Sequence, residues 1–479
     1  DYFGAQVTLR RIERVLSRLQ GPRTPERGVL PALLERLVDV TLPEDRPAAE
    51  GAARWIDERL RPRTAALANE ATRTFDELLL AVQAEIRRAP AGAPAVEEQT
   101  LRIVAALRNG AFWQDAAALV ARLADALEAF VEDTRPVLER AADLSPVAAE
   151  RLAFLVAQLR AQAGRLAAAA LELRAFLGDD ATLCRWFAVR PDRDRSPVLA
   201  LRFAPVEVGP RLRESLFERF ESVVLTSATL TVERRFDFFL ERSGIAGLDR
   251  DLVDRLRLPS PFHYADQALL AIPEDVPEPD TPGYEEALHE AIARAVEASG
   301  GGAFVLFTSY GSLARAHAAV AARLRGNGLH VLRQGETDRH RLLDGFRRTP
   351  SAALFATDSF WEGVDVRGEG LRAVVIARLP FRVPTEPVQQ SRLEAIEARG
   401  GNPFAEYGLP QAVIKLRQGF GRLIRSREDR GIVLLLDSRI VRRRYGETIL
   451  GSLPPARVVV GPTAIVLGEL NRFFSGVEG

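Results

Sequence analysis

The sequence predicts an α/β protein in which a doubly wound parallel sheet follows a long, largely α-helical region. Residues 1 to about 178 carry apolar residues at helical spacing with few glycines, whereas from about residue 258 short apolar runs alternate with helical segments. Strands that alternate with helices in one direction form a parallel sheet. Its binding sites are expected at the carboxyl ends of the strands.

The helical region contains five predicted helices and no residue pattern that indicates catalysis or metal binding. We expect a helical bundle or arm that packs internally or binds a partner. The predicted helices cover residues 7–19, 30–40, 48–88, 96–142 and 146–177.

The residue pattern changes from helical to β-rich near Cys184, where short runs of strand-forming residues begin. Two such runs, 185–189 and 198–203, precede a predicted helix at 211–220. Further predicted strands cover 222–225, 303–307, 330–333, 352–356, 371–378, 431–437 and 458–460. Predicted helices lie between them at 312–325, 339–347 and 411–425, and a last predicted helix follows at 463–474.

Composition limits the classes of site that this chain can hold. At 479 residues it is long enough for about three domains. Because 65 basic and 65 acidic residues balance, a nucleic-acid site has to be a local patch. Lys415 is the only lysine, which we attribute to genomic base composition and not to phosphate binding. One cysteine excludes a disulfide, a cysteine-ligated zinc site and an iron–sulfur cluster within this chain, and we predict no metal site.

Targeting signals are not evident in the sequence. The chain has no apolar run of about 18 residues and no signal peptide, so we expect no membrane segment and take the cytoplasm as the default compartment. It also contains no methionine, even at position 1. We therefore expect an internal fragment of a longer protein.

A predicted helix at 411–425 carries a polar stripe whose members are spaced four, three, four and three residues apart, which places them on one helical face. The stripe consists of Gln411, Lys415, Gln418, Arg422 and Arg425. Two guanidiniums one turn apart suit a nucleoside triphosphate. Gly419 and Gly421 each cost the helix about 1 kcal/mol, which suggests that a phosphate or a neighbouring domain approaches the backbone. The alternative is the solvated face of an ordinary amphipathic helix.

Polar residues also follow several predicted strands. Hydroxyls at 226–229 follow the strand at 222–225, and Thr308 and Ser309 come directly before a helix start, where unpaired N–H groups bind phosphate. In the loop at 357–365, the carboxylates of Glu362 and Asp365 lie on either side of Gly363, close to the aromatic residues Phe360 and Trp361. Gln334 follows the strand at 330–333. The alternatives are an ordinary strand-to-turn boundary at 226–229 and a simple helix cap at Ser309.

Read together, these segments resemble one family. They are TSATL at 226–230, FVLFTSY at 304–310, SFWEGVDV at 359–366, RLPF at 378–381 and QGFGRLIRS at 418–426. In this order they are similar to motifs III, IV and V, the LPF strand end and motif VI of superfamily 2 DNA helicases of the DinG/XPD type. The resemblance covers about 180–479. It implies a helical arch-like insertion at 1–180, the remainder of a first RecA-like domain at 181–257 and a second RecA-like domain at 258–479.

The resemblance also implies roles for individual residues. Arg425 is the expected arginine finger on the γ-phosphate, with Arg422 and Gln418 beside it, and loss of such a finger costs about 10³–10⁵ in phosphoryl transfer. Residues expected to border the nucleotide are Gly363 and Asp365. Those expected to couple hydrolysis to movement are Ser227, Ala228 and Thr229. Those expected to hold phosphates of single-stranded DNA are Thr308, Ser309, Gln334 and Thr357.

Two family elements are absent from the sequence: a GxxxxGK[ST] loop and a DEAH-like box. Family order places both upstream of residue 1, together with iron–sulfur cysteines where these occur. We therefore expect that the parent protein uses ATP and Mg²⁺ on single-stranded DNA and duplex junctions, and that this chain alone is inactive without the missing amino-terminal RecA-like half. The alternatives are a non-catalytic nucleic-acid-binding or regulatory module, and the helicase part of a helicase–exonuclease fusion.

Overall fold

A computed structural model describes residues 3–21, 28–40, 42–88, 98–192, 195–357, 360, 370–381 and 386–475. The chain divides into two compact units. The first comprises Asp1–Glu207 and Pro384–Arg392, and the second comprises Val208–Val383 and Leu393–Gly479.

The first unit is mainly helical, as the sequence predicts. Its helices are α1 (Leu9–Gln20), α2 (Val29–Val38), α3 (Arg46–Trp55), α4 (Arg61–Arg88), α5 (Ala105–Arg108), α6 (Ala111–Ala142) and α7 (Pro146–Leu177). A π-helical turn at Ile56–Leu60 joins α3 to α4. Leu127 and Phe130 of α6 and Leu159 and Leu166 of α7 are buried in one apolar core.

Four antiparallel strands complete the first unit. They are β1 (Ala5–Thr8), β2 (Gln99–Arg102), β3 (Leu183–Asp192) and β4 (Arg195–Pro205), in the order β1-β4-β3-β2. The predicted helix at 96–142 is therefore wrong before residue 105, because residues 99–102 pair with β3 instead. The predicted helix at 7–19 likewise begins later, at Leu9, where the Thr8 side chain accepts a hydrogen bond from the Arg11 amide.

The strands β3 and β4 confirm the two predicted β-rich runs. Both pair with strands from the helical part of the chain, so the structure groups them with residues before 180. The assignment of 181–257 to the remainder of a first RecA-like domain stays a prediction.

The second unit is built on a seven-stranded sheet with the order β11-β5-β10-β9-β6-β8-β7. Its strands are β5 (Ala268–Pro273), β6 (Ala303–Leu306), β7 (His330–Arg333), β8 (Ala352–Ala356), β9 (Ala373–Ile376), β10 (Gly431–Leu435) and β11 (Arg457–Gly461). Every pairing is parallel, which confirms the predicted fold class. The sequence analysis missed β5, although all six of its residues are buried.

Helices cover both faces of this sheet. Those with residues in its two apolar layers are α10 (Tyr264–Gln267), α11 (Tyr284–Ser299), α12 (Tyr310–Gly326), α13 (Arg339–Arg348), α15 (Leu409–Phe420), α16 (Arg439–Arg442), α17 (Tyr445–Ser452) and α18 (Thr463–Ser475). The other helices after residue 207 are α8 (Gly209–Leu212), α9 (Asp237–Ser243) and α14 (Pro387–Ala398), and the last of these has residues in both units. Along β6, Ala303 and Val305 pack with α11, α12 and α18, whereas Phe304 and Leu306 pack with α13 and α15. This alternation is that of a strand buried on both faces.

The predicted buried strand at 222–225 is wrong. Val224 is 86% exposed and Leu225 is 41% exposed, and within the described ranges no strand pairs with this segment. An apolar run becomes a strand only where a neighbouring strand pairs with its backbone N–H and C=O groups.

Among the helices that the structure describes, none combines the length and the apolar character that crossing a bilayer requires.

Candidate functional site

Three of the predicted loops meet at one edge of the seven-stranded sheet. Thr308 and Ser309 follow β6, Thr357 follows β8 and Gln334 follows β7. Because β8 lies between β6 and β7 and all three strands are parallel, their carboxyl ends are adjacent. The structure therefore brings together the four residues that the sequence analysis assigned to single-stranded DNA.

Hydrogen bonds fix the side chain of Gln334 within this edge. Its amide oxygen accepts from the Thr357 backbone N–H at 2.6 Å and from the Thr357 hydroxyl at 3.0 Å. Its amide nitrogen donates to the Tyr310 hydroxyl at 2.5 Å. A side chain held at both polar ends presents its remaining surface in one orientation.

Ser309 is the N-cap of α12. Its backbone is extended, and its hydroxyl accepts a hydrogen bond from the Ser312 N–H at 3.2 Å. The structure thus shows the capping role that was the alternative for this residue. A contact between Ser309 and phosphate stays a prediction.

The helix carrying the polar stripe ends earlier than predicted. Helix α15 stops at Phe420, and the Gly421 N–H donates to the Arg417 carbonyl at 2.8 Å. Arg422 and Arg425 lie beyond this end, so the prediction that they share one helical face with the rest of the stripe is wrong. The glycines at 419 and 421 weaken the last turn, and Leu423 and Ile424 enter the core after it. Gln411, Lys415 and Gln418 do lie on the helix.

A network of buried polar groups holds the loop that carries Arg425. The Asp429 carboxylate accepts from the backbone N–H groups of Arg425 and Ser426 at 2.7 and 2.8 Å, and from the Ser426 hydroxyl at 2.8 Å. The buried Gln267 amide nitrogen donates to the carbonyls of Ser426, Arg427 and Asp429 at 2.9, 3.1 and 2.9 Å. The backbone of the predicted arginine finger is thereby fixed.

Arg425 also borders an open cavity of about 450 Å³. The cavity is lined by Phe262, Gly421, Ile424, Arg425 and Ser426. This volume falls within the range of small-molecule sites. The arrangement therefore places Arg425 at a space large enough for part of a nucleotide.

Arg417 is a site residue that the sequence analysis missed. Its guanidinium donates to the Thr231 carbonyl at 2.5 Å, to the Thr231 hydroxyl at 3.2 Å and to the Ala228 carbonyl at 3.0 Å. Burial lowers the pKa of the Arg417 guanidinium from its usual value. Arg417 ties the loop of the predicted coupling residues to the helix that carries Gln418.

Within that loop, the Ser227 hydroxyl accepts from the Thr229 N–H at 3.2 Å. Ser227 and Ala228 are exposed, and Thr229 is partly exposed. The three predicted coupling residues therefore lie on a surface turn that Arg417 anchors. Arg417 directly precedes the predicted site residue Gln418. The helical spacing selected only residues of the polar stripe, so it passed over Arg417.

Asp437, also missed, links the ends of β9 and β10. Its fully buried carboxylate accepts from the Leu379 N–H at 2.9 Å and from the Arg439 guanidinium at 2.8 and 2.6 Å. The hydrogen bond to Asp437 raises the pKa of Arg439. The Arg439 guanidinium lies 5.8 Å from the centroid of the Phe381 ring. Asp437 thus holds the RLPF segment, residues 378–381, against the neighbouring strand end.

Two predicted nucleotide-binding residues, Gly363 and Asp365, lie outside the described residues. Within the described part of the chain, no group of three histidine, cysteine, aspartate or glutamate side chains is placed to hold a metal ion.

The hydrogen bonds of Arg417 generate a prediction about the loop at 226–231. Replacing Arg417 by Ala removes three donated hydrogen bonds, so backbone amides of the loop should exchange with deuterium faster, while those of β10 should not change. Arg417→Lys, which keeps the charge but loses the planar fork, should give an intermediate rate. Unchanged exchange in Arg417→Ala would contradict an anchoring role.

Comparison with known proteins finds a match in the part of the chain that contains this candidate site. Residues 292–456 match the helicase C-terminal domain family. This interval contains β6 to β10, the edge residues Thr308, Gln334 and Thr357, and the loop of Arg425.

Three curated relatives illustrate the similarity. The chain is 42% identical over 257 residues to the ATP-dependent DNA helicase YoaA of Escherichia coli strain K12, covering 53% of this chain and 39% of that protein. It is 37% identical over 284 residues to the ATP-dependent DNA helicase DinG of Photobacterium profundum, covering 58% and 40%. It is 36% identical over 308 residues to the 3′-5′ exonuclease DinG of Bacillus subtilis strain 168, covering 63% and 32%. The chain thus spans well under half the length of these relatives.

A solved structure named XPD_Helicase is 13% identical, with a TM-score of 0.47, and the match covers 96% of this chain and 65% of that one.

Proposed function

We propose that this chain is the carboxyl-terminal region of a DinG/XPD-type superfamily 2 helicase and that the whole protein is an ATP-dependent DNA helicase. It couples ATP hydrolysis to 5′-to-3′ translocation on single-stranded DNA and to duplex unwinding, in DNA repair or replication, in the cytoplasm. The observation that carries the proposal is the joining of Tyr310, Gln334 and Thr357 at one sheet edge. These residues come from separate loops within the matched interval.

The DNA-binding part of the proposal rests on neutral hydrogen-bond donors. Thr308 and Ser309 offer hydroxyl groups and Gln334 offers an amide N–H beside the amino-terminal turn of α12, where backbone N–H groups favour an anion. Thr357 is buried and its hydroxyl donates to Gln334, so in this proposal it holds Gln334 in place. Neutral donors of this kind hold phosphates and position a strand without reading its sequence. The edge therefore suits single-stranded DNA of any sequence, and at duplex junctions it takes the strand that has been separated.

The nucleotide-binding part rests on Arg425. Its backbone is held by Asp429, and the residue borders a cavity of about 450 Å³. In the proposed protein the guanidinium stabilises the charge on the γ-phosphate, with Arg422 and Gln418 nearby and with Gly363 and Asp365 bordering the nucleotide. Arg417 then transmits the state of this site to Ser227, Ala228 and Thr229 through their shared loop.

The described residues include no group of three histidine, cysteine, aspartate or glutamate side chains placed to hold a metal ion, and in this proposal the protein ligands of Mg²⁺ come from the amino-terminal RecA-like half. Lys415, which is 8% exposed within α15, is not placed in a phosphate-binding loop. In this proposal, Mg²⁺ binding and the phosphate-binding lysine are supplied by the amino-terminal RecA-like half.

Two alternative functions can be distinguished from this one by reading the gene sequence upstream of Asp1. A non-catalytic nucleic-acid-binding or regulatory module requires no GKT or DEAH-type motif there. A helicase–exonuclease fusion requires an additional nuclease domain, and the Bacillus subtilis relative that bears the name 3′-5′ exonuclease favours this version.

The chain by itself should release no phosphate from ATP above a buffer blank, with or without single-stranded DNA. The reason is that it lacks the lysine-containing loop that reaches the β- and γ-phosphates. A phosphate-release assay on purified 1–479 measures this directly. Substantial ATP turnover by the pure chain would contradict the proposal that the phosphate-binding loop lies in the amino-terminal half.

In the full-length protein, Arg425→Ala should lower DNA-stimulated ATP turnover by about 10³–10⁵, because an arginine finger supplies that much transition-state stabilisation. The matched control is Arg427→Ala, two residues further along the same loop, whose side chain is exposed. Equal turnover in the two variants would remove Arg425 from the active site.

Replacing Thr308 by Val should weaken binding of single-stranded DNA by about tenfold, because a hydroxyl that bonds to a phosphate is lost without a change in size. The slope of log affinity against log salt should stay unchanged, since the lost donor is neutral. Thr349→Val is the control, because Thr349 precedes β8 at the opposite edge of the sheet. Fluorescence anisotropy with several oligonucleotide sequences measures both quantities. An equal loss in both variants would contradict the placement of DNA.

A further inference from the structure

We propose that Tyr310 is a base-stacking residue, on which one nucleobase of the bound single strand rests, and that Gln334 holds its ring in place. The inference deepens the proposed function, since it rests on single-stranded DNA crossing this edge of the sheet. It adds a contact to a base, which the roles given above for neighbouring residues do not include.

The exposure of Tyr310 is the first observation. Its side chain is 56% exposed, although it follows β6, whose four residues are all buried. Tyr310 is the first residue of α12 and directly follows the N-cap Ser309, so its backbone is fixed by the helix start. The ring therefore stands at the surface beside the predicted phosphate-binding hydroxyls.

The immobilisation of the ring is the second observation. The Tyr310 hydroxyl accepts from the Gln334 amide nitrogen at 2.5 Å. The Gln334 amide is itself fixed, because its oxygen accepts two hydrogen bonds from Thr357. This chain of bonds ties together the ends of β6, β8 and β7. An exposed aromatic ring that is already ordered loses little conformational entropy when a ligand packs on it.

The chemistry of the ligand follows from these two observations. A rigid aromatic face next to neutral phosphate donors fits a nucleobase attached to a phosphate backbone. Stacking tolerates any sequence, because every base has a π-face. The same face also fits the adenine of a free nucleotide. Tyr310 is not among the residues that line the cavity at Arg425, and its ring is bonded to Gln334 next to Thr308 and Ser309, which assigns the base to the DNA strand.

The first experiment measures binding of a fluorescein-labelled oligo-dT to purified 1–479. Tyr310→Ala should weaken binding by about five- to 150-fold, which is the range for loss of one aromatic–base stack. Tyr310→Phe keeps the ring and should lose less. Phe220→Ala is the matched control, since Phe220 is 58% exposed in the same unit and lies outside the edge. Circular dichroism and thermal unfolding of each variant establish that it is folded.

The second experiment separates stacking from a general loss of affinity. Single abasic sites are placed in turn along the oligonucleotide. At one position the abasic site should weaken binding to the unaltered chain, yet cost nothing further in Tyr310→Ala, because both changes remove the same contact. Additive losses at every position would overturn the stacking role, and so would a Tyr310→Ala affinity equal to that of the unaltered chain.

The remaining outcomes identify which proposal has failed. If 1–479 does not bind oligo-dT at all, the DNA-binding proposal fails and this inference fails with it. If it binds and Tyr310→Ala has no effect, only the inference fails. If adenosine nucleotides bind in a Tyr310-dependent manner while the oligonucleotide is insensitive to Tyr310, the base belongs to a free nucleotide and the assignment to DNA is overturned.

Discussion

Parallel pairing makes every strand of the seven-stranded sheet end at the same edge, and the functional arrangement of the second unit depends on this constraint. Residues 308–310, 334 and 357 are separated by more than twenty residues along the chain, yet strand order alone brings them together. The loops at this edge contain hydroxyl, amide and aromatic side chains, whereas the strands β6 and β8 are entirely buried and apolar. The sheet thus determines where the loops lie, and the side chains of the loops provide the polar and aromatic groups of the candidate site.

Buried polar groups convert this general arrangement into fixed geometry. Asp429, Asp437 and Gln267 are each at most 6% exposed, and each forms several hydrogen bonds that include backbone groups of a loop. A buried polar group left unpaired costs roughly 1–3 kcal/mol, so these contacts are retained together. The loop of Arg425 and the RLPF segment therefore have defined positions without forming regular structure, and Arg417 does the same for the turn at 226–231.

The sequence predicted the strands of the sheet well, because buried parallel strands are unbroken apolar runs bounded by turn residues. The predicted boundaries at 330–333 and 352–356 coincide with β7 and β8. The same criterion failed at 222–225, since an apolar run contains no information about whether a neighbouring strand is available. It also failed to find β5, which has the same apolar character as the strands that were found.

The candidate site was only partly accessible from the sequence. Motif order indicated which loops carry function, and periodicity indicated a helix before Arg422, but neither shows where a helix stops when two glycines weaken its last turn. Arg417 was overlooked because its partners, Thr231 and Ala228, lie 186 and 189 residues away in the chain. The bond between Gln334 and Tyr310 likewise depends on the order of strands, which a single sequence does not specify.

The amide of Gln267 has one further consequence. Its two hydrogens are shared among three carbonyl oxygens of the segment that follows Arg425. Hydrolysis of this amide to a carboxylate would leave size and shape nearly unchanged while turning a donor into a charged acceptor that faces three acceptors. Hydrolysis at this single position would thus release the loop of Arg425 from its support.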